Sequence, residues 1–200
     1  MDMEQKKGRA SILFEHPPVI KSVGTVSGTR EGQGPLGRFF DSVEPDDKMG
    51  MENWEEAESA MQEKAAGLAL KKGKLTEQEM DYSFAGDLLG QLIATSFGSG
   101  SLHVPLFGLY GACSTMGEAL GLGAMTVNAG YGKNVLAINQ HLARSWHIQS
   151  TNHIQQCAFA RTRFSDDCHI FSLRNRKANI PKRFYSSFTA AICLTNILDL

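Results

Sequence analysis

Two hundred residues are enough for one domain with a sizeable core, and 42% of them are hydrophobic. The net charge of −1 excludes a strong general attraction to nucleic acid or anionic lipid. Four cysteines without paired short spacing argue against a disulfide scaffold or a CxxC metal site, and no cofactor is expected. The charged start MDMEQKKGR predicts no signal peptide, and no window approaches the ~20 apolar residues of a transmembrane helix.

The first predicted elements are strands. Ser11 to Phe14 and Val19 to Val26 have the β-branched content of strands, and a Pro-Pro pair separates them. Glycine and proline then dominate from Thr29 to Gly37, which predicts a loop.

Glu52 to Lys72 is the clearest predicted helix. Its apolar residues fall at steps of three and four and form one stripe, consisting of Trp54, Ala57, Met61, Ala65 and Leu68. We interpret the charged residues as a solvated face that suits the helix dipole, with the acids Glu52, Glu55, Glu56 and Glu58 near its start. Gly73 is the expected stop, and Thr76 with Glu79 forms a T-x-x-E capping box that opens a short helix.

An acidic residue follows the next strand. Tyr82 to Ala85 is predicted as a strand, and Asp87 comes after it and one glycine. Ligands of α/β sheets bind outside the carboxyl ends of the strands, so Asp87 is a candidate binding residue. A helix N-cap or turn role explains the same position equally well. Gln91 to Phe97 continues with a helical pattern.

The chain is organised around GLYGACSTMGEALGLGAM. Apolar residues from Val104 to Leu109 lead into a turn, and a helix of small residues is predicted from Ser114 to Ala129. Cys113 therefore stands at the start of the helix, where free N–H groups and the helix dipole favour the thiolate. This geometry would serve a nucleophile or an anion-binding pocket, and a small buried cysteine is the other interpretation.

A final strand is predicted from Asn134 to Ile138, and the repeated strand, helix and strand units imply a parallel sheet. After it the composition changes. Residues 139–200 contain no Gly and no Glu, and they carry eight Lys and Arg against three Asp. A basic arm is one explanation. We favour a shift of the reading frame near Ile138, and we expect this tail to pack poorly.

Several segments resemble a known family. GACST after a strand is similar to the nucleophile turn of the thiolase and ketoacyl-synthase superfamily. FEHPPVIKSVGTVSG, EGQGPLGRFFD, NWEEAESAMQEKAAGLAL, FAGDLLGQLIATSF and LFGLYGACST run in the order of the stage V sporulation protein AD family, the thiolase-like members of the SpoVA group. The resemblance covers Gly8 to Ile138.

The resemblance implies an α/β, thiolase-like fold of the αβαβα type, present as an incomplete N-terminal half with a parallel-rich sheet flanked by helices. It divides the chain into residues 1–138, the N-terminal part of that domain, and an unmatched tail, residues 139–200. It also implies a spore-specific protein that binds dipicolinic acid, free or as its calcium chelate, during uptake in sporulation and release in germination. Implied ligand contacts are Asp87, Cys113, Ser114 and Thr115, with no resident metal.

The implied partners are other SpoVA proteins, with peripheral association at the inner spore membrane and no nucleic acid. No catalytic residue is assigned, because the histidines of the tail match no motif of the superfamily. We therefore expect a binding protein and not an enzyme. The alternatives are a thiolase-like or ketoacyl-synthase-like acyltransferase with Cys113 as the nucleophile, and a truncated product without function.

Overall fold

The computed structural model describes residues 5–87, 92–111, 114–143 and 186–195, with side chains except at 141–143 and 186–190. Its strands are β1 (Lys6–Lys7), β2 (Ser11–Ile12), β3 (Val19–Ser27), β4 (Ser42–Val43), β5 (Tyr82–Gly86), β6 (Leu106–Gly108), β7 (Asn134–Ala143) and β8 (Ser186–Thr195). Its α-helices are α1 (Thr29–Gln33), α2 (Trp54–Gly73), α3 (Ile93–Gly100) and α4 (Thr115–Asn128). Two single 3-10 turns cover Gly37–Phe39 and Glu77–Glu79.

Six strands form one sheet in the order β4-β3-β8-β7-β5-β6, and β1 and β2 form a separate hairpin. The pairs β3–β4, β5–β6 and β5–β7 are parallel. Strand β8 is antiparallel to both of its neighbours, β3 and β7. The sheet is therefore mixed, with three parallel pairs and two antiparallel ones, which agrees with the expected parallel-rich sheet.

Helices cover both faces of this sheet. Along β7, Leu136 and Ile138 belong to the core cluster that contains the buried side of α2, whereas Val135 and Ala137 pack with residues of α4. This division follows from the pleat of a strand, which turns successive side chains to opposite faces. We call these the α2 face and the α4 face. Helix α3 packs against α2.

Helix α2 confirms the clearest sequence prediction with one correction. Asn53 caps its start by accepting the Glu56 N–H at 2.8 Å, and Lys74 ends it in the left-handed region at φ 53°. Glu58, which we expected on the solvated face, is only 1% exposed. Its carboxylate instead meets the side chain of Gln140 on β7.

The predicted loop after β3 contains short helical turns. Thr29–Gln33 forms α1, and Gly37–Phe39 follows as a 3-10 turn. Asp47 stabilises the first turn, because its Oδ1 accepts the backbone N–H of Thr29 at 2.8 Å and the Thr29 hydroxyl at 2.9 Å. Glycine and proline content predicted the irregular path here. The two bonds between Thr29 and Asp47 could not be predicted from local sequence, because the residues are 18 positions apart.

The end of the chain contributes to the centre of the sheet. Strand β7 continues past Ile138 to Ala143, and β8 includes part of the apolar run from Ala190 to Leu198 whose structure the sequence left open. Ala191 and Cys193 of β8 are fully buried. The expectation of poor packing thus does not hold for β8. Residues 144–185 and 196–200, with the tail histidines His147, His153 and His169, lie outside the described part of the chain.

Candidate functional site

The candidate site lies where strands β5 and β6 end and helix α4 begins. Ala85 of β5 pairs with Gly108 of β6, and the Leu109 N–H donates to the Ala85 carbonyl at 2.7 Å. Two residues after Leu109, Gly111 accepts the Ser114 N–H at 3.0 Å, and α4 starts at Thr115. The predicted strand, turn and helix are therefore present. Cys113 itself lies outside the described residues.

Gly86 allows this turn to lie against the sheet. A Cβ at Gly86 would overlap the carbonyl oxygen of Leu109 and come within 2.8 Å of Thr115 Cγ2. Any side chain at position 86 would therefore displace either the end of β6 or the first residue of α4. The glycine brings the start of α4 into contact with the carboxyl end of β5.

Asp87 has a structural role at the start of helix α3. It is 2% exposed, its Oδ1 accepts the Leu92 N–H at 2.9 Å, and its Oδ2 accepts the Thr95 N–H at 2.9 Å. These bonds also hold Leu92 at φ 77°, a left-handed conformation that non-glycine residues seldom adopt. The structure thus supports the capping interpretation. Whether Asp87 also shares a pocket with Cys113 stays a prediction.

Ser114 and Glu118 form a polar pair on the exposed first turn of α4. The Ser114 hydroxyl lies 2.5 Å from Glu118 Oε1 and 2.8 Å from the Gly111 carbonyl oxygen. A hydroxyl has one proton, so it donates to one of these acceptors at a time. The Glu118 carboxylate also lies over Gly111, where it would overlap an added Cβ. Glu118 was not singled out from sequence, although an acid in a first helical turn is a familiar signal.

Of the predicted site residues that the structure describes, Thr115 is the most buried. It is fully buried, and its Oγ1 has no hydrogen-bond partner among the described residues. Asn139, near the end of the apolar run of β7, is 5% exposed. Its Oδ1 likewise has no hydrogen-bond partner among the described residues. Ser27, the last residue of β3, also has a buried hydroxyl without such a partner. Sequence analysis missed Asn139, and the only signal for it was a polar residue directly after four apolar ones.

A layer of polar side chains crosses the α2 face. With its amide nitrogen turned toward Glu58, Gln140 donates to both carboxylate oxygens, at 3.2 Å to Oε2. One helical turn further, Gln62 Nε2 donates to Thr95 Oγ1 at 3.2 Å. The Ser59 hydroxyl donates to the Ala94 carbonyl at 2.7 Å. These contacts join α2 to the end of β7 and to the turn that Asp87 caps.

No described group of three or more His, Cys, Asp or Glu side chains is arranged to hold a metal ion. None of the described helices combines the length and the apolar character that crossing a membrane requires.

Comparison with known proteins agrees with this architecture. The family model for stage V sporulation protein AD matches residues 8–153, beyond the end of the resemblance at Ile138. Stage V sporulation protein AD of Bacillus subtilis (strain 168) is 36% identical over 130 residues, which cover 65% of this chain and 38% of that protein. The present chain therefore spans well under half of that relative.

Solved structures resemble the chain in fold. A 3-oxoacyl-[acyl-carrier-protein] synthase III from Aquifex aeolicus has a TM-score of 0.50 at 17% identity, over 90% of this chain and 54% of that one. OleA of Xanthomonas campestris with bound lauric acid and lauroyl-CoA has a TM-score of 0.54 at 11% identity, over 94% and 58%. At such identities the likeness shows the fold alone, an α/β fold of the thiolase-like type.

Proposed function

The chain belongs to the stage V sporulation protein AD family, and from that premise we propose that it binds dipicolinic acid, pyridine-2,6-dicarboxylic acid. Family membership implies a role in sporulation. In our proposal the protein binds the ligand at two stages. The first is uptake of the ligand into the developing spore, and the second is release of the ligand in germination. The matched part of the chain covers 38% of its relative. That this chain carries the activity of a whole family member is therefore also part of the proposal.

The observation that carries the proposal is the geometry at the start of α4. The helix begins at the carboxyl ends of β5 and β6, and Gly111 and the 57% exposed Tyr110 precede it. Backbone N–H groups at a helix start attract anions, and a flat aromatic dianion can lie against an aromatic side chain. We propose Cys113, Ser114 and Thr115 as contacts. Asp87 is proposed as a fourth contact, to the calcium ion of the chelate, because a carboxylate repels a free dianion but binds calcium. Asp87 also holds the neighbouring turn from Leu92 to Thr95 in place.

Binding, rather than acyl transfer, is the function we propose for this site. Acyl transfer by a cysteine requires a general base near the thiol. The described histidine side chains, His16 and His103, are both exposed, and His103 lies in the turn before β6. Asp87 is occupied by two backbone N–H groups. The ligand arrives free or as its calcium chelate, and the protein associates peripherally with the inner spore membrane through other SpoVA proteins.

Calorimetry with dipicolinate tests the proposal on the 200-residue chain. We expect saturable binding, and we expect Cys113→Trp to abolish it by filling the space at the start of α4. Cys193→Ser is the matched control, because Cys193 lies in the core of the sheet on β8. Wild-type protein that folds without binding dipicolinate would refute the proposal.

Covalent labelling separates binding from acyl transfer. The chain is incubated with an acyl-CoA and, separately, with iodoacetamide, and each cysteine is followed by peptide mass spectrometry. Burial raises the pKa of the Cys193 thiol, so Cys193 serves as an unreactive internal reference. A thioester on Cys113 that Cys113→Ala removes would favour the acyltransferase instead.

A further inference from the structure

An open groove separates the N-terminal hairpin of β1 and β2 from the end of helix α4. Its volume is about 380 Å³, and its walls include Ile12 and Phe14 on one side and Met125 on the other. The two sides are tied together where Asn128 Nδ2 donates to Gln5 Oε1 at 2.8 Å. These two polar groups satisfy each other, so the surface left for a partner is mainly apolar.

Large apolar side chains at this groove are exposed. Ile12 and Met125 line it, Leu122 lies one helical turn before Met125, and each of the three is at least 40% exposed. Tyr131, in the turn after α4, is 77% exposed. Grouped apolar side chains of this kind mark interaction surfaces. A tyrosine, with an apolar ring and a polar tip, suits the boundary between a membrane and water.

Lys6, Lys7 and Arg9 make the hairpin positive. All three are exposed, and Lys6 lines the groove beside Ile12, its partner across the hairpin. Residues 1–14 contain these three cations against two acids, a net of +1, whereas residues 15–138 contain nine Lys and Arg against sixteen acids, a net of −7. An anionic surface therefore attracts the hairpin and repels the rest of the chain up to residue 138.

We propose that the hairpin and the groove dock on the surface of an anionic phospholipid bilayer. Ile12, Leu122 and Met125 meet the acyl boundary, and Lys6 lays its methylene stem along the apolar wall while its ammonium group reaches the lipid phosphates. The inference goes beyond dipicolinate binding and does not depend on it. It gives the protein a direct contact with lipid, besides the proposed contact with other SpoVA proteins.

Co-sedimentation with protein-free vesicles tests this proposal on the 200-residue chain. We expect binding to phosphatidylglycerol vesicles at low salt, little binding to phosphatidylcholine vesicles, and loss of binding as salt screens the charges. Lys6→Glu should weaken binding to phosphatidylglycerol vesicles about tenfold or more, because it replaces an attraction with a repulsion. Ile12→Ser should weaken binding about fivefold, because less apolar surface is buried.

Two matched controls lie away from the groove. Lys71→Glu makes the same charge change at an exposed position near the end of α2, and Ile20→Ser makes the same side-chain change at an exposed position of β3. Because salt screens charges beyond about a Debye length, both should change vesicle binding about twofold or less. All four replacements are at exposed positions, so circular dichroism should show an unchanged fold.

Three results would overturn the inference. Wild-type protein that does not sediment with phosphatidylglycerol vesicles leaves membrane association to partner proteins. Equal losses from Lys6→Glu and Lys71→Glu would show a general attraction and no docking surface. A dimer that Ile12→Ser dissociates, in the absence of lipid binding, would assign the groove to a second copy of the chain.

Dipicolinate calorimetry on the same samples keeps the two proposals apart. Vesicle binding lost with dipicolinate binding intact overturns only the lipid contact. Vesicle binding that follows the expected pattern in protein that does not bind dipicolinate overturns only the proposed function.

Discussion

Asp87 holds Thr95 by its backbone, with the Thr95 N–H donating to Asp87 Oδ2 at 2.9 Å. The Thr95 side chain in turn accepts from Gln62 of helix α2 at 3.2 Å. The carboxyl end of strand β5 is thereby linked through the start of α3 to the helix that covers the α2 face. This link gives Asp87 a measurable role in stability, whether or not it also contacts a ligand.

Asp87→Ala should lower the free energy of unfolding by about 1–3 kcal/mol, because the buried N–H of Thr95 and the partly buried N–H of Leu92 lose their acceptor. Urea denaturation measures this change. Asp46→Ala is the control, since Asp46 also accepts two backbone N–H groups, from Lys48 and Gly50, but lies in an exposed turn. Equal losses from both substitutions would contradict the buried capping role.

Glu118→Gln should strengthen the binding of dipicolinate about two- to fivefold at low salt. The substitution removes a negative charge from the first turn of α4, next to Gly111 and Ser114, and such a charge is worth about 0.3–1 kcal/mol at a helix start. The gain should shrink as salt screens the charge. Glu63→Gln changes the net charge equally on the exposed side of α2, and an equal gain there would contradict a local effect.

Asp41 should make stability depend on pH in the acidic range. Burial raises the pKa of Asp41, but bonds from Lys72 and Thr25 outweigh this effect and hold the pKa below its ordinary value of 3.8. A depressed pKa contributes stability above about pH 4, the unfolded value, and that stability is lost as the pH falls through the folded value.

Asp41→Asn should therefore cost up to about 1 kcal/mol at pH 7 and almost nothing near pH 2, since Lys72 is half exposed. Unfolding curves at several pH values measure the difference. A constant difference between the two proteins across this range would show that the ion pair does not cause the pH dependence.

Gly24→Ala should be strongly destabilising, by about 2 kcal/mol or more. Strand β3 crosses α2 at Gly24, where an added Cβ would overlap the Ala65 carbonyl oxygen and lie 2.5 Å from the Ala69 nitrogen. Gly67→Ala, on helix α2 itself, is the opposite case, because an added Cβ there meets nothing within 4 Å. It should stabilise the protein by about 1 kcal/mol through helix propensity. Similar thermal midpoints for the two variants would contradict this packing.

Ala191→Asp tests whether β8 is part of the folded sheet. Ala191 is fully buried, pairs with both Gly24 and Ile138, and belongs to the core cluster on the α2 face. An unpaired buried charge should cost about 4 kcal/mol or more. Ile20→Asp, at a 57% exposed position of β3, should cost far less. A variant Ala191→Asp as stable as the wild type would exclude β8 from the sheet.

Local sequence was sufficient to predict much of this fold. Helix α2, the capping box at Thr76 and Glu79, strand β5 and the path from β6 into α4 all follow from periodicity, caps and turn residues. The predicted and observed elements agree because the interactions that form these elements act over a few residues.

The remaining features depend on partners far along the chain. Glu58 resembles its solvated neighbours in sequence and is buried only because Gln140 meets it. Asn139 follows four apolar residues, and its place beside Gly86 follows only from the pairing of β7 with β5. The apolar run that contributes to β8 did not show from sequence whether it forms a helix or a strand. Its position between β3 and β7, antiparallel to both, follows from pairing with strands far along the chain.

The position of β8 also has a consequence for the order of folding. Among the described strands, β8 alone joins β4 and β3 on one side of the sheet to β7, β5 and β6 on the other. It also comes last in sequence among them. During synthesis both groups exist before their connecting strand, each with an unpaired edge. Contacts of such sequence separation form slowly, and unpaired edges invite aggregation. We therefore expect a nascent chain halted before β8 to depend on chaperones, while release of the last strand starts the closure of the sheet.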